Sequence, residues 1–274
     1  MYEVNLFGDD MNRRVIWQYW ETKGVKPLFV DTLHDIAKKN SGIEVVLVTP
    51  ETIEDYIPNI PKEIFSIKEM AHKADMIRAL LIYHHGGMWL DSDAIVLSDL
   101  NWMFDKLSEY EFLSFNNTGS FDDSPLNVRI NCFVSRPKSK VMKSWVEAQH
   151  NKFPKIKYEW TEVGTGLLDP IVLKNRENTL LLPFDKVCPI KWDEVSKFSS
   201  KWQNSRKILE GSHIVMLSNK SLQERNPRLA QTPISELAEE ETLIGDILKK
   251  SLDSQYVPLG YFDKVLKNIS GIFS

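Results

Sequence analysis

The stretch AHKADMIRALLIYHHGGMWLDSDAIVL, residues 71–97, decides how the rest of the chain is read. From Ala74 to Tyr83 it is apolar almost all round, the pattern of a helix buried in a large core. Asp75 and Arg78 interrupt it three residues apart and are therefore neighbours on the helix surface. Gly86-Gly87 supplies a helix stop and a tight turn, where a side chain would be strained. A strand is predicted over residues 88–97. Alternation along it places Trp89, Asp91 and Asp93 on one face, with Met88, Leu90 and Ser92 on the other.

Two carboxylates one residue apart repel and raise each other's pKa unless a cation stands between them. Oxygen ligation suits a hard octahedral ion, Mg2+ or Mn2+, which keeps waters and takes further ligands from a phosphorylated substrate. An EF-hand calcium loop is excluded, because Ile95 and Val96 stand where a polar ligand and a glycine would be needed. Asp-x-Asp alone usually marks a solvated strand end. Here a buried charge pair upstream and the double glycine between raise its meaning to a candidate metal site.

Working outward, 274 residues suffice for a sizeable core, and a net charge of −4 speaks against a partner held by a basic field, so no nucleic acid is expected. Cys132 and Cys188 are the only cysteines, too few for a disulfide framework, and a reducing compartment is the default. The leader MYEVNLFGDDMNRR lacks the apolar core of a signal peptide. No run reaches the roughly 18–20 apolar residues of a spanning helix. The expectation is a cytoplasmic protein, soluble or peripheral on the inner face of a membrane.

Strands are predicted at 14–20 (RVIWQYW), 43–48, 111–115, 128–135, 179–182 and 213–217. Helices are predicted at 26–40, from a start at Thr49-Pro50-Glu51, near 102–107, at 139–150 and at 235–252, the last with an acidic start and lysines at its end. Gly164-Thr165-Gly166 reads as a turn into the apolar run LLDPIVL, and residues 116–127 as a polar, mobile loop. Strand, helix, strand, helix, strand over the first hundred residues points to βαβ units and a mainly parallel sheet, whose ligands bind beyond the carboxyl ends of the strands. No repeat or linker divides the chain. One domain over 1–274 is expected, with a C-terminal helical segment from about 233. Within it residues 260–273 place Phe262, Val265, Leu266 and Ile269 on one face, either docked on the core or touching a membrane.

The pairing of VIWQYW with AHKADMIRALLIYHHGGMWLDSD resembles the capsular polysaccharide synthesis proteins and the related glycosyltransferase family 32, with a core similar to that of glucosylating bacterial toxins. The match is specific over residues 15–97. It implies an α/β, GT-A type (Rossmann-like) fold and a nucleotide-sugar-dependent hexosyltransferase that retains anomeric configuration. The donor would be a UDP- or GDP-sugar and the acceptor a glycan, free or lipid-linked, in capsule or surface polysaccharide synthesis. By position the resemblance makes Asp93 the principal metal ligand and gives Asp91 the donor ribose and a direct or water-mediated reach to the metal. Asp75 and Arg78 would bind donor-sugar hydroxyls, Trp17 would lie against the base, Trp89 would line the donor pocket, and Asn131 would lie near sugar and acceptor. A late segment would close the metal site. Leu217-Ser218-Asn219-Lys220 has asparagine where the family has histidine, which leaves the third ligand between His213 and Asn219, with Asn219 favoured.

The chemistry asks for such groups. Sugar transfer passes through an oxocarbenium-like transition state, and a divalent ion stabilises the departing diphosphate. A rigid Asp–Arg pair tells epimers apart, because a misplaced hydroxyl leaves buried polar groups unpaired. With no carboxylate nucleophile evident, a front-face displacement is the working mechanism. Glu162 and Asp169 read as structural, and His72, His84 and His85 as packing or surface histidines. Two rival readings stay open: a metal-dependent nucleotidyltransferase or phosphohydrolase, and a non-catalytic carbohydrate-binding protein.

Overall fold

The computed structural model describes residues 14–21, 28–153, 159, 161–201 and 209–252. Its strands are β1 (Val15–Tyr19), β2 (Glu44–Val48), β3 (Gly87–Leu90), β4 (Ala94–Val96), β5 (Phe112–Asn116), β6 (Cys132–Ser135), β7 (Thr179–Pro183) and β8 (Ile214–Met216). The helices are α1 (Leu28–Asn40), α2 (Ile53–Tyr56), α3 (Met70–His85), α4 (Asn101–Asp105), α5 (Lys140–Lys152), α6 (Thr165–Lys174), α7 (Asn219–Arg225), α8 (Pro227–Gln231), α9 (Ile234–Leu237) and α10 (Leu243–Leu252). The chain gathers into two compact units: Met1–Val25 with Ile43–Ser92 and Asn101–Phe184, and Lys26–Gly42 with Asp93–Leu100 and Asp185–Ser274.

The first unit is built on a six-stranded sheet in the order β2-β1-β3-β6-β5-β7. β2, β1 and β3 run parallel, β6 opposes β3 and β5, and β7 runs parallel to β5. All five residues of β1 are buried, as a strand covered on both faces requires. This mixed, mainly parallel sheet with flanking helices is the expected α/β architecture. α3 is buried along most of its length and ends at Gly86, whose N–H donates to the Ile82 carbonyl at 2.9 Å. Gly86 and Gly87 have φ of +65° and +96°, and a Cβ on Gly87 would stand 2.6 Å from the Val15 carbonyl oxygen. Only glycine lets β3 begin that close to β1.

Two expectations here are corrected. The single strand over 88–97 is broken into β3 and β4 by a turn at 92–93. Ser92 Oγ donates to the Tyr19 carbonyl at 2.9 Å, while β4 pairs antiparallel with β8 in a separate two-stranded sheet. Asp91 and Asp93 therefore do not alternate on one pleat. The loop 116–127, expected to be mobile, is tied down: Asn116 Oδ1 accepts the Gly119 N–H, and both oxygens of Asp169 accept the N–H groups of Asn127 and Val128. Asp169 is thereby structural, and Glu162 pairs with Lys152 at 3.0 Å.

The second unit joins α1, the β4–β8 ribbon and α7 to α10. Asn40 Nδ2 donates to the carbonyls of Val96 and Ser251, linking α1 to β4 and to the end of α10. The helix expected over 235–252 is two helices. The Leu243 N–H turns to the Ser200 carbonyl, and Thr242 Oγ1 accepts the Gly245 N–H, so the chain restarts there instead of continuing from α9. α10 keeps the acidic start and basic end that suit its dipole. The apolar face expected over 260–273 lies outside the described residues.

Candidate functional site

The site grows from the charge pair on α3. Asp75 and Arg78 are only 4% and 5% exposed. Arg78 Nη2 lies 3.4 Å from Asp75 Oδ1 and 3.4 Å from Asp91 Oδ1, so one guanidinium serves two carboxylates. Its Nη1 donates to the Ile130 carbonyl at 2.5 Å, and its Cζ stands 4.9 Å from the centre of the Trp89 ring. The Trp89 indole N–H donates to Asp91 Oδ1 at 2.7 Å. Burying a charge costs several kcal/mol, and each carboxylate here is tolerable because Arg78 is shared between them.

Packing sets the acidity of the pair. Desolvation pushes the Asp75 carboxyl from 3.8 up to about 6, against the pull of Arg78 and with the help of the Asp91 charge. Asp91 is also raised by desolvation, while Arg78 and the Trp89 N–H hold it down. In their ionised forms both are acceptors only, Asp75 buried and Asp91 partly exposed.

A second layer holds this cluster. Gln149 Nε2 donates to the Asp75 carbonyl at 3.0 Å and to the Val163 carbonyl at 2.9 Å, and Trp145 Nε1 also donates to Val163. The Asp91 N–H donates to the Asn131 carbonyl at 2.9 Å. Asn131 Oδ1 is buried with no hydrogen-bond partner, an omission that costs roughly 1–3 kcal/mol and suits an acceptor kept for a ligand. Sequence reasoning passed over Gln149, whose only signal is a polar residue on the inward face of an amphipathic helix.

Thus Asp75, Arg78, Trp89 and Asp91 come together, with Asn131 beside them. Trp17 is the register partner of Trp89 across β1 and β3, and its own side-chain contacts are with core groups. It is 1% exposed, its indole N–H donates to the Gly86 carbonyl at 2.9 Å, and its ring packs on Tyr56 and His85. His72 and His85 each spend a ring nitrogen on a backbone carbonyl, of Glu159 and of Tyr56.

Asp93 belongs to the second unit. Its Oδ2 accepts the Asn219 N–H at 2.7 Å, and its carbonyl accepts the Leu217 N–H. Ser218, with φ of +53°, turns the chain from β8 into α7 and delivers that N–H. His213 stands at the other end of the β4–β8 ladder, with Nδ1 2.8 Å from Ser98 Oγ, and burial lowers its pKa. Of the two late candidates, Asn219 is the one brought to Asp93.

Asp93 offers oxygen donors, the chemistry that fits magnesium or manganese and disfavours softer ions, while Asn219 meets it through its backbone N–H and its own Oδ1 accepts from Gln223 Nε2 at 3.2 Å. Among the described residues no group of three or more His, Cys, Asp or Glu side chains gathers. An ion held here would complete its shell from substrate oxygens and water. Among the described residues no helix is long and apolar enough to cross a membrane.

Residues 2–156 match the family model described as capsular polysaccharide synthesis protein. No curated protein matches the sequence. Among solved structures the fold is similar to that of the WbbM bifunctional glycosyltransferase, with a TM-score of 0.50, 10% identity, and coverage of 88% of this chain and 52% of that one. It is also similar to the glycosyltransferase GlyE of Streptococcus pneumoniae TIGR4, with a TM-score of 0.48, 14% identity, and coverage of 92% and 64%. A third similar structure is the galactosyltransferase LgtC in complex with donor and acceptor sugar analogues, with a TM-score of 0.43, 10% identity, and coverage of 91% and 99%. The shared architecture is mixed α/β, a central sheet flanked by helices.

Proposed function

The chain belongs to the capsular polysaccharide synthesis protein family, and from that premise we propose that it moves a hexose from a UDP- or GDP-sugar to a glycan acceptor with retention of configuration. Family and fold support the reading as a glycosyltransferase. The observation that carries the finer reading is the shared Arg78 between Asp75 and Asp91, roofed by Trp89. A charge cluster of that kind is costly to bury and gains its meaning from a polar ligand such as a sugar.

In this reading Asp75 accepts hydrogen bonds from donor-sugar hydroxyls and Arg78 donates to them. Trp89 gives the sugar an apolar wall while its N–H fixes the Asp91 carboxylate. Asn131 Oδ1 takes a hydroxyl hydrogen from sugar or acceptor, satisfying an atom that otherwise has no partner. Asp93 and Asp91 would hold Mn2+ or Mg2+, with Asn219 as the further protein ligand, and the ion would supply charge stabilisation to the leaving diphosphate. With no carboxylate assigned as a nucleophile among the described residues, the acceptor hydroxyl bonds to the anomeric carbon from the side on which its bond to the diphosphate breaks, and passes its proton to the departing phosphate oxygen. The glycan is a growing capsular or surface polysaccharide.

The test is donor hydrolysis without acceptor. Purified protein with MnCl2 and a panel of UDP- and GDP-hexoses should release nucleoside diphosphate from one of them, and EDTA should stop it. Phosphate release from p-nitrophenyl phosphate with every sugar donor inert would contradict the reading and favour a phosphohydrolase.

A further inference from the structure

We propose that Gly164 is a positioning residue for donor-sugar recognition: its missing side chain is the space in which the Asp75 carboxylate is set. The inference rests on the reading of Asp75 as a sugar ligand. A Cβ built on Gly164 would stand 2.7 Å from Asp75 Oδ2 and 2.7 Å from Ile130 Cδ1, closer than real Cβ atoms approach. Asp75 Oδ1 faces Arg78, so Oδ2 is the oxygen that this backbone confines.

Gly164 cannot retreat. The preceding carbonyl, of Val163, accepts from both Trp145 Nε1 and Gln149 Nε2 on α5. The Gln149 amide also donates to the Asp75 carbonyl, so α3 and the Val163–Gly164 peptide are locked to one side chain. On the other side Thr165 Oγ1 donates to the Val128 carbonyl, and the Gly166 N–H donates to the Thr161 carbonyl at 2.9 Å. Both atoms that an added methyl would strike are the far ends of side chains. The fold can therefore accommodate alanine by moving them, and the moved group is Asp75. A carboxylate swung away from Arg78 no longer presents a rigid acceptor, so sugar contacts are lost while nucleotide contacts are not. The GTG stretch, which reads in the sequence as a turn, becomes a determinant of which sugar fits.

The experiment compares Gly164→Ala, Asp75→Asn and wild type with saturating MnCl2. It measures kcat/KM for hydrolysis of UDP-glucose, UDP-galactose and GDP-mannose, and Kd for bare UDP and GDP by calorimetry, with far-UV circular dichroism as the fold check. For Gly164→Ala we expect kcat/KM for the preferred donor to fall roughly 10- to 100-fold, the loss of a charge-assisted hydrogen bond, with Kd for the bare diphosphate unchanged. The double variant Gly164→Ala/Ile130→Ala, which removes the second obstruction, keeps that defect and also decides the matter if the single variant does not fold. Wild-type hydrolysis in Gly164→Ala, equal losses for donor and bare diphosphate, or rescue in the double variant each overturns the inference. Wild-type hydrolysis in Asp75→Asn would break the underlying reading of Asp75, and the inference with it.

Discussion

Asp91 and Asp93 are separated by a single residue in the chain, yet they meet different partners. Asp91 is bound by side chains, the indole of Trp89 and the guanidinium of Arg78, which arrive from its own strand and from α3. Asp93 Oδ2 accepts a main-chain N–H, that of Asn219, which lies 126 positions away. Side chains fix the direction of the Asp91 carboxylate and tune its acidity, whereas Asp93 is oriented from the turn between β8 and α7. Under the proposed function Asp91 serves the donor and reaches the ion, while Asp93 is the principal ligand of that ion.

The largest effect expected from breaking this contrast is at Asp93. Asparagine there keeps an acceptor for the Asn219 N–H, so Asp93→Asn should stay folded by circular dichroism while donor hydrolysis falls by roughly 10³-fold or more, several kcal/mol of charge stabilisation. Next comes Arg78→Met, which leaves Asp75 and Asp91 without their shared cation. Urea denaturation should show a loss of about 3–5 kcal/mol, the usual consequence of stranding a buried partner.

Asp75 gives a smaller effect with a definite sign. Its folded pKa, about 6, lies above the ordinary 3.8, so the folded protein binds this proton more tightly than the unfolded chain. The contribution to stability is present at acid pH and is lost as pH rises from about 4 to about 6, then stays flat, an amount on the order of 2–3 kcal/mol. Asp75→Asn should therefore gain on wild type in melting temperature across that window. An unchanged difference between pH 4 and pH 7 would count against the burial of this charge. The smallest effect is Trp89→Phe, which keeps the ring under Arg78 and deletes one hydrogen bond to Asp91. A rise in donor KM of about tenfold is expected, with the acid limb of the pH–rate profile moved upward as Asp91 loses a group that holds its pKa down.

Much of the first region was legible because its causes are local. α3 announces itself by apolar residues on all sides, its charge pair by spacing, and its end by two glycines that the close passage of β1 makes obligatory. The second region was not, because its causes are distant. The break at 92–93 exists because β4 finds its partner in β8, and no pattern within 88–97 carries that pairing. The division of 235–252 depends likewise on the Ser200 carbonyl capturing the Leu243 N–H. Trp17 shows the limit of composition: an aromatic in a strand reads alike as a base platform or as core, and its burial among Tyr56, His85 and Gly86 was decided by the packing of α3. Asn219 was reachable from its place after β8, whereas Gln149 and Gly164 matter only through what touches Asp75.

The division of labour between the two aspartates is tested most directly by titrating UDP into wild type, Asp75→Asn and Asp93→Asn, each with and without MnCl2, and following donor hydrolysis by the same three proteins. Manganese should strengthen UDP binding in wild type and in Asp75→Asn but not in Asp93→Asn, while both variants lose hydrolysis. If manganese strengthens UDP binding to Asp93→Asn as much as to wild type, the ion is held elsewhere and the account fails.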